Sequence, residues 1–194
     1  MIVPLYVSSG KRAVAVLTPH QVQLIEDHLN ADNKIRTRFL LYTAARIAEA
    51  RYIEAHPETF RKENGAIFLP KVDGIGKKRC TVSNRAILLS VKGIAAVQDF
   101  FDKKCHIPAY QSLEPAIKLA AKEADFDTRY ITTKMYRKTM ISWLIQCWPH
   151  RESAILLSAG HTQATMRGHY LGSGFRKDDI ADMQDRIDGW GEAR

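Results

Sequence analysis

The sequence predicts a mixed α/β domain, predominantly α-helical, with a small three-stranded antiparallel sheet. Three observations predict it. Apolar residues recur at helical spacing in several capped segments, most clearly between Lys134 and Trp148. Between residues 58 and 83 that pattern gives way to short strand candidates separated by glycine-bearing turns. The 194 residues are 45% hydrophobic and 26% charged, which suffices to bury a core and does not resemble a disordered chain.

Taken in order, residues 1–17 read as an extended arm broken at Ser8-Ser9-Gly10. Thr18-Pro19 supplies an N-cap with proline at the first helical position, and Val22, Leu24, Ile25 and Leu29 follow at helical spacing. After a turn at 30–33, a second helix is expected to run to about residue 54, where His56-Pro57 stops it. Strand candidates follow at 58–62, 66–70 and 79–83, the last two flanking Gly74-Ile75-Gly76-Lys77-Lys78-Arg79. Residues 84–103 lead from the sheet into a helix. Ser112 is expected to cap the next helix, 112–125, with Glu114 in its first turn.

Thr132-Thr133 then opens a central helix, whose stripe Tyr136, Met140, Trp143, Leu144 and Cys147 packs it down before Pro149. A short helix at 151–158 ends at Gly160, and Thr162 is expected to cap a helix reaching Tyr170-Leu171. Residues 173–194 form a tail, with a polar amphipathic helix at 176–188 that gathers Ile180, Met183 and Ile187 on one side.

Lys and Arg outnumber Asp and Glu by 29 to 21, a formal charge of +8. Such an excess suits a polyanionic partner, whether DNA, RNA or a membrane surface, and bears on association, not on fold. Cys80, Cys105 and Cys147 are odd in number, widely spaced and lack a CxxC pair, which argues against a disulfide framework or zinc site and for a reducing compartment. No window approaches the ~18 apolar residues of a membrane span, and no basic stretch precedes a long apolar run at the start. The expectation is a soluble, cytoplasmic protein without membrane attachment.

Several residues stand out as candidates for chemistry. Arg46 lies among small residues with Glu49 three positions on, on the same helical face; alone, this also describes an exposed ion pair. Lys77, Lys78 and Arg79 sit on a hairpin tip that can enter a groove or simply be solvated. Lys134 and Arg137 share a face near a helix N-terminus, where the dipole and free amides favour an anion. His161 precedes Tyr170 by nine residues.

Arg46 within Arg-Ile-Ala-Glu-Ala-Arg, the hairpin cations, Lys134-Met-Tyr-Arg137, Ala159-Gly160-His161 and Tyr170 occur in that order. Together they resemble the catalytic domain of tyrosine recombinases, the phage and archaeal integrase family, over residues 18–172. The intervals Arg137 to His161 and His161 to Tyr170 match that family. The resemblance implies site-specific cleavage and rejoining of double-stranded DNA at attachment sites, by dimers to tetramers assembled on DNA. It implies Tyr170 as nucleophile, forming a 3′-phosphotyrosyl link, with Arg46 and Arg137 holding the non-bridging oxygens. It further implies a hairpin lysine as general acid, Lys77 first, then Lys78, then Lys71. His161 would hydrogen-bond the phosphate or manage the tyrosine proton, and Glu49 would orient Arg46. Lys78 and Arg79 would contact DNA. No cofactor and no metal are implied.

Two departures from the family pattern bear on this. Lys134 stands where the H-x-x-R box usually has His, as in some archaeal viral and plasmid integrases with Lys-x-x-Arg. Only an arm precedes Thr18, where members usually carry a helical clamp domain; a clamp ahead of Met1 and a minimal recombinase both stay open. Two rival readings also stay open, a type IB topoisomerase-like relaxing enzyme and a non-catalytic DNA-binding module whose cations only contact phosphates. Docking of the tail on a neighbouring protomer or in cis is likewise undecided by the sequence.

Overall fold

The computed structural model describes residues 2–9, 12–70, 84–161 and 174–192. It is mostly helical, with two small antiparallel sheets. The hub is the helix α6, Lys134–Cys147, in which every residue from Met135 to Leu144 is buried. Around it pack the strand β2 (Arg12–Val16) and the helices α2 (Ala31–Thr43), α7 (Glu152–Ala159) and α8 (Lys177–Ile187).

The expected extended arm is a hairpin of β1 (Leu5–Ser9) and β2, in register from Leu5 opposite Val16 to Ser9 opposite Arg12. Its exit is strapped to α6. The Leu17 amide donates to Thr139 Oγ1 at 3.1 Å, and Trp143 Nε1 donates to the Leu17 carbonyl at 2.8 Å. Ala15, Val16 and Leu17 are fully buried, so this segment is part of the core. Helix α1 (Pro19–Asp27) starts on the Thr18 cap as the sequence implies, with Gln21 closing a capping box.

The single helix expected to reach residue 54 is in fact two. Helix α2 ends at Thr43, Ala44 takes a left-handed conformation (φ 46°), and Arg46, in extended backbone, opens α3 (Ile47–Ala55). Two local bonds fix the break: Thr43 Oγ1 receives the Ala45 amide at 3.2 Å, and Glu49 Oε2 receives the Arg46 amide at 2.7 Å. Alanine has no intrinsic preference for such a break and is strained in left-handed backbone. Tertiary contacts to the Ala44 carbonyl override its helical propensity.

The second sheet is three-stranded and antiparallel, in the order β3 (Phe60–Arg61), β4 (Ala66–Leu69), β5 (Arg85–Leu88). The first two strands fall within the expected ranges. The third strand described is Arg85–Leu88, in a stretch the sequence suggested only as a lead-in; the 79–83 candidate lies outside the described residues. Helix α4 (Val91–Asp102) packs on α2 through Phe39 and Phe100, whose rings are 4.3 Å apart.

Helix α5 spans Tyr110–Glu123, so Ser112 lies in its first turn and does not cap it; the Ser112 and Leu113 amides both bond to the Ala109 carbonyl. Thr133 precedes α6 as expected but makes no side-chain capping bond. The tail packs on its own chain, burying Met183, Ile187 and Trp190. Arg151 lies against both Trp148 and Trp190, 5.7 and 5.2 Å from their ring centres, and donates to the Trp190 carbonyl at 2.8 Å. Among the described residues no helix is long and apolar enough to cross a membrane.

Candidate functional site

The site assembles where the ends of several elements meet: the α2–α3 break, the start of β5 and the end of α7. At its centre is Glu49, in the first turn of α3, its side chain 4% exposed. Its Oε1 receives Arg46 Nη1 at 2.6 Å and its Oε2 receives the Arg46 amide at 2.7 Å; Arg85 Nη2 lies 2.7 Å from Oε2 as an ion pair. Arg137 Nη1 lies 3.7 Å from the same oxygen. Burial pushes the Glu49 carboxyl up, but the charges of Arg85, Arg137 and Arg46 outweigh it and hold the group below its ordinary value. It is therefore a carboxylate at neutral pH.

Arg137 reaches this centre from the first turn of α6, its side chain 10% exposed. Nη1 donates to the Ala44 carbonyl, and Nη2 donates to the Ala159 carbonyl and to His161 Nε2, the last at 2.9 Å. Ala44 is the C-cap of α2, and Ala159 is the last residue of α7. One guanidinium thus ties two helix C-termini together, where the negative ends of both dipoles favour it.

Gly160, in left-handed backbone at φ 60°, turns the chain out of α7 and delivers His161, whose amide bonds back to the Leu156 carbonyl at 3.0 Å. A guanidinium only donates, so His161 Nε2 accepts, and the neutral ring carries its proton on Nδ1. Burial and then the charges of Arg137, Arg46, Lys138 and Arg85 push the imidazole down to about 2. His161 is consequently a neutral ring with an unprotonated Nε2 in a positive field.

Among the described residues, four cationic side chains, Arg46, Arg85, Arg137 and Lys138, therefore surround a single carboxylate and a neutral imidazole. The surplus of three positive charges in a largely buried setting is chemistry suited to an anion with several oxygens. Arg46 keeps 27% of its side chain exposed and is the guanidinium most open to solvent in this group.

The structure brings together four of the residues singled out from the sequence: Arg46, Glu49, Arg137 and His161. Lys134 stands exposed at the first position of α6 and joins none of the bonds that knit the cluster. Lys71, Lys77, Lys78, Arg79 and Tyr170 lie outside the described residues. Among those described, no group of three or more His, Cys, Asp or Glu is placed to hold a metal.

Among solved structures, the chain matches XerH site-specific recombinase bound to difH substrate, in a pre-cleavage complex. The TM-score is 0.57 at 15% sequence identity, over 86% of this chain and 52% of that one. Over the matched residues the fold is like that of XerH. At that identity the likeness concerns the fold alone, and this chain spans about half the length of XerH. No protein-family model matches the sequence, and no curated protein does.

Two members of the cluster escaped the sequence reading. Arg85 opens β5 ahead of Ala86-Ile87-Leu88, where an arginine reads as a strand-end surface charge. Lys138 lies opposite the Tyr136–Met140–Trp143 stripe, on a side that looks like solvent in the sequence yet is buried, with the residue only 8% exposed. The available signal was adjacency: Lys138 directly follows Arg137.

Proposed function

We propose that this chain is the catalytic domain of a site-specific DNA recombinase that cleaves and rejoins strands through a 3′-phosphotyrosyl intermediate. The observation that carries the reading is the convergence of Arg46, Arg137 and His161 round Glu49, in the recombinase fold. Attack on a phosphodiester adds negative charge to the non-bridging oxygens, and Arg46 and Arg137 supply fixed guanidinium groups to receive it. These guanidinium groups supply the positive charge that a metal ion provides in other phosphoryl-transfer sites.

In this reading Tyr170 Oη bonds to phosphorus as the P–O5′ bond breaks. The tyrosine proton passes to Nε2 of His161, which is able to take it once the phosphate is bound. An arriving phosphate oxygen competes with Nε2 for the same Arg137 edge, and its negative charge offsets the field that holds His161 low. The leaving 5′-oxygen takes a proton from a hairpin lysine, with Lys77 the first choice, while Lys134 adds positive charge. A second 5′-hydroxyl attacking the phosphotyrosine reverses the step.

The finer reading is an integrase of the archaeal viral or plasmid kind, inserting and excising DNA at paired sites. It works in the cytoplasm as a dimer or tetramer on DNA. The test is incubation of nicked duplexes, in chelator, with wild type and Tyr170→Phe. A denaturation-resistant protein–DNA adduct from wild type alone is expected. DNA binding with no adduct on any duplex would refute the enzymatic reading and leave a binding module.

A further inference from the structure

The two arginines to which the sequence points are joined by a third, whose guanidinium ties both sides of the cluster together. We propose that Arg85 is a positioning residue that sets Glu49, and through it Arg46, against the α7 turn that carries His161. The inference rests on reading the cluster as a phosphodiester site.

Three contacts grip the Arg85 guanidinium. Nη2 lies 2.7 Å from Glu49 Oε2, and Nη1 donates to the Ser158 carbonyl at 2.7 Å. Gly160 lies flat against the group: a Cβ there would fall 3.0 Å from Nη1 and 3.2 Å from Cδ. Glycine is therefore favoured at 160 twice over, by its φ of +60° and by the nearness of Arg85. Strand β5 holds Ser158 a second time, since the Leu88 amide donates to its Oγ at 3.0 Å.

The consequence is geometric. Glu49 presents Arg46 through two bonds, and the Ser158–Gly160 turn presents His161. Arg85 is the rigid fork between these two presentations, and at 10% side-chain exposure it is set behind them. Lysine restores its charge but not its fork, because a single ammonium is a point charge on a flexible stem. A role through charge alone and a role through placement therefore predict different outcomes for Arg85→Lys.

The experiment compares wild type, Arg85→Lys and Gly160→Ala, the last pressing a Cβ onto the same guanidinium. Affinity for an intact duplex, single-turnover adduct formation at saturating nicked duplex, and the titration of His161 by ring-labelled NMR are measured on each. Affinity is expected to stay within about twofold of wild type, because a buried group makes no phosphate contact of its own. Adduct formation is expected to fall about a hundredfold in both variants, the penalty for a ~1 Å misplacement. His161 is expected to titrate at higher pH as its surroundings loosen.

A wild-type rate in Arg85→Lys would overturn the proposal in favour of charge alone. A lowered melting temperature with unmoved rate and unmoved His161 titration would overturn it in favour of a purely structural residue. If Arg85→Lys does not fold, Gly160→Ala carries the decision by the same readouts. If wild type yields no adduct on any duplex, the recombinase reading is what fails, and the His161 titration still decides the role of Arg85.

Discussion

Replacing Glu49 with glutamine tests directly how this site is held together. The amide keeps the shape of the side chain but removes the one negative charge that the described residues set among four cations. Three nitrogens meet the carboxylate at 2.6–2.7 Å, two of Arg46 in hydrogen bonds and one of Arg85 in an ion pair. Whichever way the amide is turned, its NH2 group faces at least one of these nitrogens. A hydrogen bond to a charged group contributes roughly 1.5–3 kcal/mol, and the share of half-open Arg46 is discounted for solvent screening. Loss of the buried Arg85 ion pair and of the common counter-charge gives about 3–5 kcal/mol, the range for breaking a buried ion pair. In a domain of this size that lowers the melting temperature by roughly 6–20 °C.

The assay is urea unfolding followed by circular dichroism at neutral pH, repeated down the acid limb. Because the Glu49 carboxyl is held below its ordinary value in the fold, its contribution is present above the ordinary carboxylate range. It is lost as pH falls through the lowered value. Wild type should therefore approach the variant in stability in acid. A neutral-pH difference below about 1 kcal/mol, the level of an exposed pair, would refute the reasoning, since the guanidinium groups would then need no counter-charge.

Two further predictions concern the same framework. His161 is near 6.5 when unfolded and about 2 in the fold, so between these limits the unfolded chain binds the extra proton and stability falls as pH falls. The slope should be about 1.4 kcal/mol per pH unit below pH ~6, and His161→Asn should remove it; urea midpoints at pH 7 and 5 that fall equally in both proteins would rule it out. Trp190, 2% exposed beneath Arg151, seals the tail onto the domain. Trp190→Ala should cost about 3–5 kcal/mol in urea unfolding, and a loss below 1 kcal/mol would mean that the tail adds little to the fold.

What the sequence revealed and what it hid divide along a physical line. The Thr18–Pro19 start, the ends of α6 and the Met183–Ile187 stripe were legible because each is a local pattern of caps and helical spacing. The break at Ala44 was not, since Thr43-Ala44-Ala45 is a good helical run taken alone. It breaks because Arg137, 93 residues away, takes the Ala44 carbonyl. The same holds for Arg85: as a strand-end arginine it reads as solvent-facing, and only the approach of Glu49 and Ser158 from other elements buries it. Arg46 was legible through its spacing to Glu49, but its place at a helix start, not mid-helix, depends on that long-range contact.

That contact also explains how so much positive charge is buried in an otherwise ordinary core. Desolvating a guanidinium costs several kcal/mol unless its donors are met, and Glu49 alone cannot serve three of them. Arg137 is met instead by carbonyls at the C-termini of α2 and α7, each carrying the negative end of a helix dipole. The left-handed turns at Ala44 and Gly160 free those carbonyls from the helices and aim them at one point. These carbonyls are dipoles, not charges, so they satisfy the donors while leaving the net charge of the site positive. Burial comes first in holding His161 low, and the field that adds to it is the remainder. It is the part of the assembly that the protein's own carboxylate and dipoles leave unneutralised, and it is what a bound anion would relieve.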